Sequence, residues 1–461
     1  MKKYLEKLEK FVFYVLVFSV PWQLRHIFFV WGNGFNEWQG IYLYATDILV
    51  LVLLVLWAWR SRKLLKPDNS EKALLVFLFF SALSLFAAQN FWLGFYSFGK
   101  LLEFAFLFLY LKRNFPKIFD AQRFWLVFGA GAVLQSLIAI AQFLKQGSLG
   151  LKFLTESPLA PDLAGAAKIV LDNEKMIRAY GLTPHPNILA AILAAAIFGM
   201  GYLFLRNYRL FVIPAPHQVR GKLEAGIHPA VAGRVKPGMT EKKRLALFIL
   251  VLFFLIFALF LTFSRAILVL EFFFFLLWLI FLWRISELKK PLKILFGIFV
   301  ICYMFFVVCF WPFLSVRFSD LKTGEQAVDL RLFLNEAGLD ILKQNPILGA
   351  GQGNFVFTLS QKFPDLPAWQ FQPVHNIYLL IAAETGLLGL LAFLAFLFLT
   401  LKSAWQKRND LFVFSLLFLL YCLLLIGLTD HFLWDLQQGQ LLFWMFLGIF
   451  VSVGHSERRS A

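Results

Sequence analysis

Five short polar islands interrupt an otherwise oily sequence. RAYGLTPHPN (178–187) supplies Arg178 and His185. TFSRA (262–266) supplies Arg265, and DLRLFLNEAG (329–338) supplies Arg331 with Asn335. VHNIY (374–378) supplies His375 and Asn376, and TDHFLWD (429–435) adds Asp430, His431 and Asp435. Arginine keeps its charge, is weakly hydrated and presents a planar fork suited to phosphate or pyrophosphate. Imidazole accepts a hydroxyl proton near neutral pH. Facing one aqueous surface, these groups would suit transfer from a lipid-linked diphosphate: arginines steady the leaving group while a base activates the acceptor. No Asp-x-Asp pair lies on the predicted outer side, so nothing visible requires a metal or another cofactor.

Long apolar runs must position these islands. The chain has 461 residues, 60% hydrophobic and 18% aromatic with 58 Phe, and only 15% are charged. A soluble domain would be about a quarter charged. The composition therefore predicts an all-α polytopic membrane protein whose solvent is lipid. Helices are expected near 11–30, 41–59, 73–88, 96–111, 123–144, 187–205, 245–263, 266–283, 292–312, 376–401, 411–428 and 436–453, each near the ~20 residues of a span. With the N-terminus inside, roughly 31 of the 44 Lys and Arg fall on cytoplasmic segments. The net charge of +17 then reflects topology and anionic lipid rather than nucleic acid. Both termini are expected in the cytoplasm, with an uncleaved first helix. Cys302, Cys309 and Cys422 lie in apolar runs without zinc-type spacing and read as small buried hydrophobes.

Three stretches break the pattern within what is read as one polytopic domain over 1–461. Residues 145–187 are mixed in polarity and expected outside. Residues 206–244, with His217 and His228, are Pro- and Gly-rich in the middle and read as a disordered cytoplasmic insert, as does the tail GHSERRSA. Residues 313–375 form the largest outer loop. There TGEQAVDLRLFLNEAGLDILKQNP predicts a helix, with a Thr323–Gln326 capping box and a stop at Pro346. Arg331, Asn335 and Gly338 share one stripe of it. GAGQGN (349–354) is not a dinucleotide fingerprint. It reads as a turn, with an anion-binding amide nest as the lesser reading.

Each polar group also has a plain structural reading. His375 could cap a helix, Arg265 could snorkel to headgroups, and Arg331 could pair with Asp329 or Asn335. On a straight helix Glu384 lies about 13 Å beyond His375 and on the opposite face, so it predicts a hydrogen bond to another helix unless the chain bends near Gly386. Glu103 and Glu271 read the same way. Asp430 and Asp435 suit caps for the last helix pair. Trp22, Trp31, Trp38 and Trp311 fit an interfacial belt. A transporter would want paired interrupted helices with polar groups at the midplane, a pattern this sequence lacks; a scaffold protein would tolerate loss of His375.

The sequence resembles the O-antigen ligase and polymerase family of bacterial membrane glycosyltransferases. The likeness rests on Arg331 followed by NPILGAGQGNF (345–355), on HNIYLLIAAETGLLG (375–389), on SRA (264–266) and HPN (185–187) upstream, and on DHFLWDLQQGQLLFWMFLG (430–448). The resemblance implies a GT-C-like fold with a periplasmic catalytic loop between the ninth and tenth helices, in the bacterial inner membrane. It implies an undecaprenyl-diphosphate-linked glycan donor and a metal-independent, inverting transfer. The acceptor stays open: lipid A-core, another glycan or a protein hydroxyl. Carried over, His375 is the base. Arg265, Arg331 and Arg178 hold the diphosphate, His185 shapes the donor pocket, and Asn376 and Asn335 support.

Overall fold

A computed structural model describes residues 2–32, 34–61, 66–172, 174–212, 241–319, 326–405 and 410–452. Helices run over α1 (Lys2–Ser19), α2 (Ala45–Arg60), α3 (Asn69–Ser84), α4 (Phe91–Ile118), α5 (Ala121–Lys145), α6 (Pro186–Val212), α7 (Glu241–Leu261), α8 (Arg265–Leu282) and α9 (Lys289–Cys309). They continue as α10 (Trp311–Ser319), α11 (Gln326–Gln344), α12 (Phe355–Lys362), α13 (Ile377–Trp405), α14 (Leu411–Ile426), α15 (Phe432–Asp435) and α16 (Gln437–Ser452). Among the described residues eight helices are long and apolar enough to cross a membrane: α3 to α9 and α13.

Composition explains the packing. The head of α6, NILAAILAAAIFGMG, is rich in small residues and almost wholly buried, so neighbouring helices approach its backbone. A Cβ on Gly199 would fall 2.1 Å from the Trp125 ring, and one on Gly201 would fall 2.9 Å from Trp278. Around this axis α5, α7 and α14 pack, while α13 lies on α3 and α16 on α4. Phenylalanines fill the seams, as where Phe257 stacks on Phe306 at 5.1 Å. Several helix starts are capped by sequence-local carboxylates: Asp68 accepts from Glu71 N, Asp120 from Arg123 N and Asp410 from Val413 N.

At the end where α4 finishes and α3 begins, charges are tied down. Fully buried Lys112 bonds Asp68 at 2.6 Å, and Arg60 reaches Glu9 at 3.0 Å. The five polar islands gather at the opposite end.

Several expectations need correction. The first helix is not at 11–30: α1 begins at Lys2, helped by a Glu6–Lys10 pair of 2.9 Å, and stops before Pro21. Residues Arg25–Val30 (β1) instead pair antiparallel with Gly40–Tyr44 (β2), because RHIFFV is β-branched and aromatic. A second hairpin pairs Lys168–Leu171 (β3) with Glu174–Ile177 (β4). The fold is thus mostly helical, with two short two-stranded hairpins among the described residues. Helix α6 reaches Val212 and α7 starts at Glu241, so both helices enter the 206–244 stretch. His217, His228, Thr323 and the tail lie outside the described residues. Cys422 is buried, but Cys302 is only partly so and Cys309 is exposed. Glu103 finds Lys100 at 2.9 Å, whereas both carboxylate oxygens of Glu271 lack a hydrogen-bond partner among the described residues.

Candidate active site

The β3–β4 hairpin delivers Arg178 into the bundle end. Its guanidinium donates to the carbonyl of Thr262 at 2.5 Å and to Asn187 Oδ1 at 2.7 Å. Asn187 passes the connection on, donating to Asp430 Oδ2 at 2.6 Å. Asp430 accepts from the amide of His431 at 2.8 Å, and His431 Nδ1 bonds Asp435 Oδ1 at 2.9 Å. His185 Nδ1 accepts the Asn187 amide at 3.2 Å. One polar string therefore joins the hairpin, the α7–α8 turn, the head of α6 and the turn between α14 and α16.

His375 meets this string edge-on, its ring centroid 5.0 Å from that of His431. Its Nδ1 is buried without a hydrogen-bond partner among the described residues. Asn376 beside it caps α13, accepting from the amides of Tyr378 at 2.9 Å and Leu379 at 3.1 Å. Arg331 is exposed on α11 and within Coulombic reach of His375, His431 and His185. Asn335 is half-buried one turn along, and Gly338 lets α11 close onto Leu379. Arg265 donates to the carbonyl of Arg317, and both guanidinium groups lie within reach of Arg178. Four arginines and three histidines thus share one end of the bundle.

Arg178 has spent two donors on the protein, so it braces the α7–α8 turn more than it faces solvent. Sequence reasoning did not single out Arg317, Asn187 or the His431–Asp435 pair as a working unit. Asn187 stood in the quoted HPN motif, and its position two residues after His185 was the available signal.

Burial and neighbours set the protonation states. Burial, then His431, pushes the His375 imidazole down to about 3. Burial and Arg178 do the same to His185, also to about 3. Both shifts favour the neutral ring, which keeps an unprotonated nitrogen, and at the same time make it a weak base. His431 goes the other way: burial is the largest single influence and disfavours its charge, but the charge and hydrogen bond of Asp435 together with the charge of Asp430 raise it. Burial would lift Asp430, yet His431, His375 and His185 hold it down at about 2. Burial and the like charge of Arg317 lower Arg178 to about 9.

The glycine-rich stretch docks into a broken helix. Gly386 in α13 has φ 74° and ψ 179°, a non-helical residue inside a helix, and that break frees backbone groups. The loop takes them up: Ala350 N bonds Ala383 O at 2.8 Å, Gly351 N bonds Glu384 O at 2.9 Å, and Leu387 N bonds Pro346 O at 2.8 Å. Gly349, Gly351 and Gly353 have positive φ. A Cβ on Gly349 would fall 2.5 Å from the Glu384 carbonyl carbon, and one on Gly351 would fall 2.6 Å from Ala88. The amides of Gly353 and Phe355 face the Glu384 carboxylate. That amide nest is therefore occupied by the chain's own carboxyl group. Trp434 Nε1 also donates to Glu384 at 3.3 Å, so its expected inter-helix hydrogen bond is present.

Trp311 is exposed, whereas Trp38 is partly buried and its ring packs on His431 at 5.5 Å.

Fold and site together define a multi-span helical membrane protein with a cationic, imidazole-bearing cluster at one bundle end. Residues 250–394 match the family model described as O-antigen ligase, so the chain is similar to that family over those residues. The matched segment contains Arg265, Arg317, Arg331, His375 and the Gly386 break, whereas Arg178, His185 and His431 lie outside it. No curated protein matches the chain.

Proposed function

We propose that this chain transfers a glycan from an undecaprenyl-diphosphate carrier to an acceptor hydroxyl on the periplasmic side of the bacterial inner membrane. The carrying observation is the contact of the neutral His375 ring with the His431–Asp435 pair beside the arginine group. His375 takes the acceptor O–H proton. The oxygen attacks the anomeric carbon from the face opposite the diphosphate, which inverts it. The C–O bond to phosphate breaks, and its electron pair leaves with the diphosphate. Arg265, Arg331 and Arg317 offset that negative charge, while Arg178 and His185 hold the wall behind them.

The like charges support this reading. Arginines drawn within reach of each other repel, and an anionic ligand would relieve that repulsion. A polymerase or protein glycosylation enzyme of the same family would use the same donor chemistry. Transport of the lipid-linked glycan is a more distant alternative, since the polar groups sit at one end of the helices rather than at mid-depth.

The test is His375→Ala, purified at matched expression and given a polyprenyl-diphosphate glycan with its acceptor. Transfer should fall about 10²–10⁴-fold, the usual worth of a general base. Undiminished transfer by a correctly folded variant would remove His375 from the mechanism. In a deletion strain, single units on the surface would mark a polymerase, and full chains left on the carrier would mark a ligase.

A further inference from the structure

Next to the histidines, and lined by none of the four arginines, lies a polar cavity that the donor chemistry does not use. The centre of a water-sized sphere can move through about 80 Å³ of it, and its mouth is open to solvent. Three of its wall residues border the histidines. Pro373 lies two positions before His375, Trp38 packs against the His431 ring at 5.5 Å, and Asp435 bonds His431 at 2.9 Å. The rest of the wall is mixed: aromatic Tyr42, Tyr96 and Trp434 alternate with Lys100, Gln352 and Gln437.

The wall is short of donors. Gln352 Oε1, Gln437 Oε1 and Asp435 Oδ2 are buried without a hydrogen-bond partner among the described residues, against one such donor, Trp38 Nε1. Gln352 and Gln437 are only 4% and 2% exposed, so these unmet acceptors are costly unless a ligand satisfies them. Nearby cations are already engaged. Lys100 bonds Asp47 at 2.5 Å and Glu103 at 2.9 Å, and Arg25 pairs with Glu37. Glu384 and Asp435 add carboxylates to the wall. Such a cavity suits a ligand rich in O–H or N–H donors, with ring faces for the aromatics, and repels an anion.

We propose that this cavity is the acceptor subsite and takes a neutral or amino sugar, not an anionic one, presenting a hydroxyl toward His375. This rests on the glycan-transfer reading above. Donor diphosphate and acceptor sugar then meet at the histidine pair against different walls, the arginines for one and the cavity for the other. The Gln352 carboxamide is the best single probe, because its oxygen bonds nothing in the protein and its backbone amide is held separately by Ser84 at 3.0 Å.

The experiment is ligand-observed NMR on the full chain in detergent, with N,N′-diacetylchitobiose, cellobiose and digalacturonate as probes. The two neutral disaccharides should show saturation transfer and digalacturonate should not. Gln352→Leu should weaken the neutral disaccharides at least tenfold, whereas Gln352→Glu, which keeps shape and acceptors, should retain them. Equal binding of digalacturonate, or Gln352→Leu binding like wild type, would overturn the proposal. A melting temperature for each variant separates lost binding from lost fold. Donor turnover without disaccharide binding would defeat the acceptor subsite alone. Disaccharide binding that Gln352→Leu abolishes, in a protein that never turns over a lipid-diphosphate donor, would instead defeat the transfer reading.

Discussion

Asn187, at the head of α6, donates to Asp430, in the turn after α14, across 2.6 Å and 243 residues of chain. Its oxygen meanwhile accepts from Arg178. A neutral amide thus separates a buried cation from a buried anion and satisfies both. Removing it leaves two charged groups short of a partner, which costs more than the bond itself. Asn187→Ala should destabilise the protein by roughly 1–3 kcal/mol, read as a lower unfolding midpoint in detergent. Asn187→Asp should be worse than Asn187→Gln, because a carboxylate there would face Asp430. If Asn187→Asp melts with wild type, the bridge contributes nothing.

The break in α13 gives a sharper contrast. A Cβ on Gly386 would lie 2.0 Å from the carbonyl oxygen of Ile347, and its φ of 74° is left-handed. Alanine there carries about 1–2 kcal/mol of backbone strain before the clash is relieved. Gly297 sits in α9 with nothing within 4 Å of its missing Cβ, and alanine should gain up to about 1 kcal/mol of helix propensity there. Gly386→Ala should therefore lower the melting temperature sharply and release the 345–354 loop to proteolysis, while Gly297→Ala should hold or raise it. Similar melting of the two variants would show that the loop does not depend on the break.

What could be read from the sequence followed a physical divide. Apolar runs report spanning helices directly, because lipid demands them. The β1 hairpin was hidden because RHIFFV is as oily as the helix before it, and only Pro21 marked the change. His375 and Arg331 stood out as ionisable groups beside apolar runs. Arg317 did not, since a single cation in WPFLSVRFS looks like an interfacial anchor. Asn187 carries no charge to draw notice. Glu384 was legible as a buried carboxyl that bonds another helix, as Trp434 shows, but not as a wall of the cavity that borders the histidines. No pattern of residue types announces a helix that opens to admit a glycine loop.

Protonation should couple stability to pH with a definite sign. His375 and His185 are held at about 3 in the folded chain, below the usual imidazole value. Below about pH 6.5 the unfolded chain binds protons there that the folded chain does not. Stability should fall as pH drops from about 6.5 toward 3. His431 is raised by Asp435, so its contribution is present below about pH 6.5 and is lost as pH climbs through its folded value. The melting temperature should thus peak near neutrality. Replacing His185 with Gln should flatten the acid side, and Asp435→Asn should flatten the alkaline side. A melting temperature independent of pH between 4 and 9 would contradict both assignments.

The arginine group should announce its ligand without any turnover. Arg178 is lowered to about 9 by burial and then by Arg317, with Arg265 adding to the repulsion. An anion binding among these groups relieves it and, by mass action, stabilises the fold that holds them together. At 100 times its dissociation constant a ligand adds about 2.7 kcal/mol. Inorganic pyrophosphate should therefore raise the melting temperature in detergent, more than equimolar phosphate does. Screening shortens the reach of exposed charges to about 3 Å at 1 M salt, so the shift should shrink there. Arg331→Gln, which changes an exposed side chain, should reduce the shift while leaving the ligand-free melting temperature nearly unchanged. Arg265→Gln should reduce it too, at some cost to the ligand-free protein, because Arg265 also holds the carbonyl of Arg317. A shift that survives both substitutions would mean pyrophosphate binds elsewhere, and the diphosphate clamp would have to be sought outside this cluster.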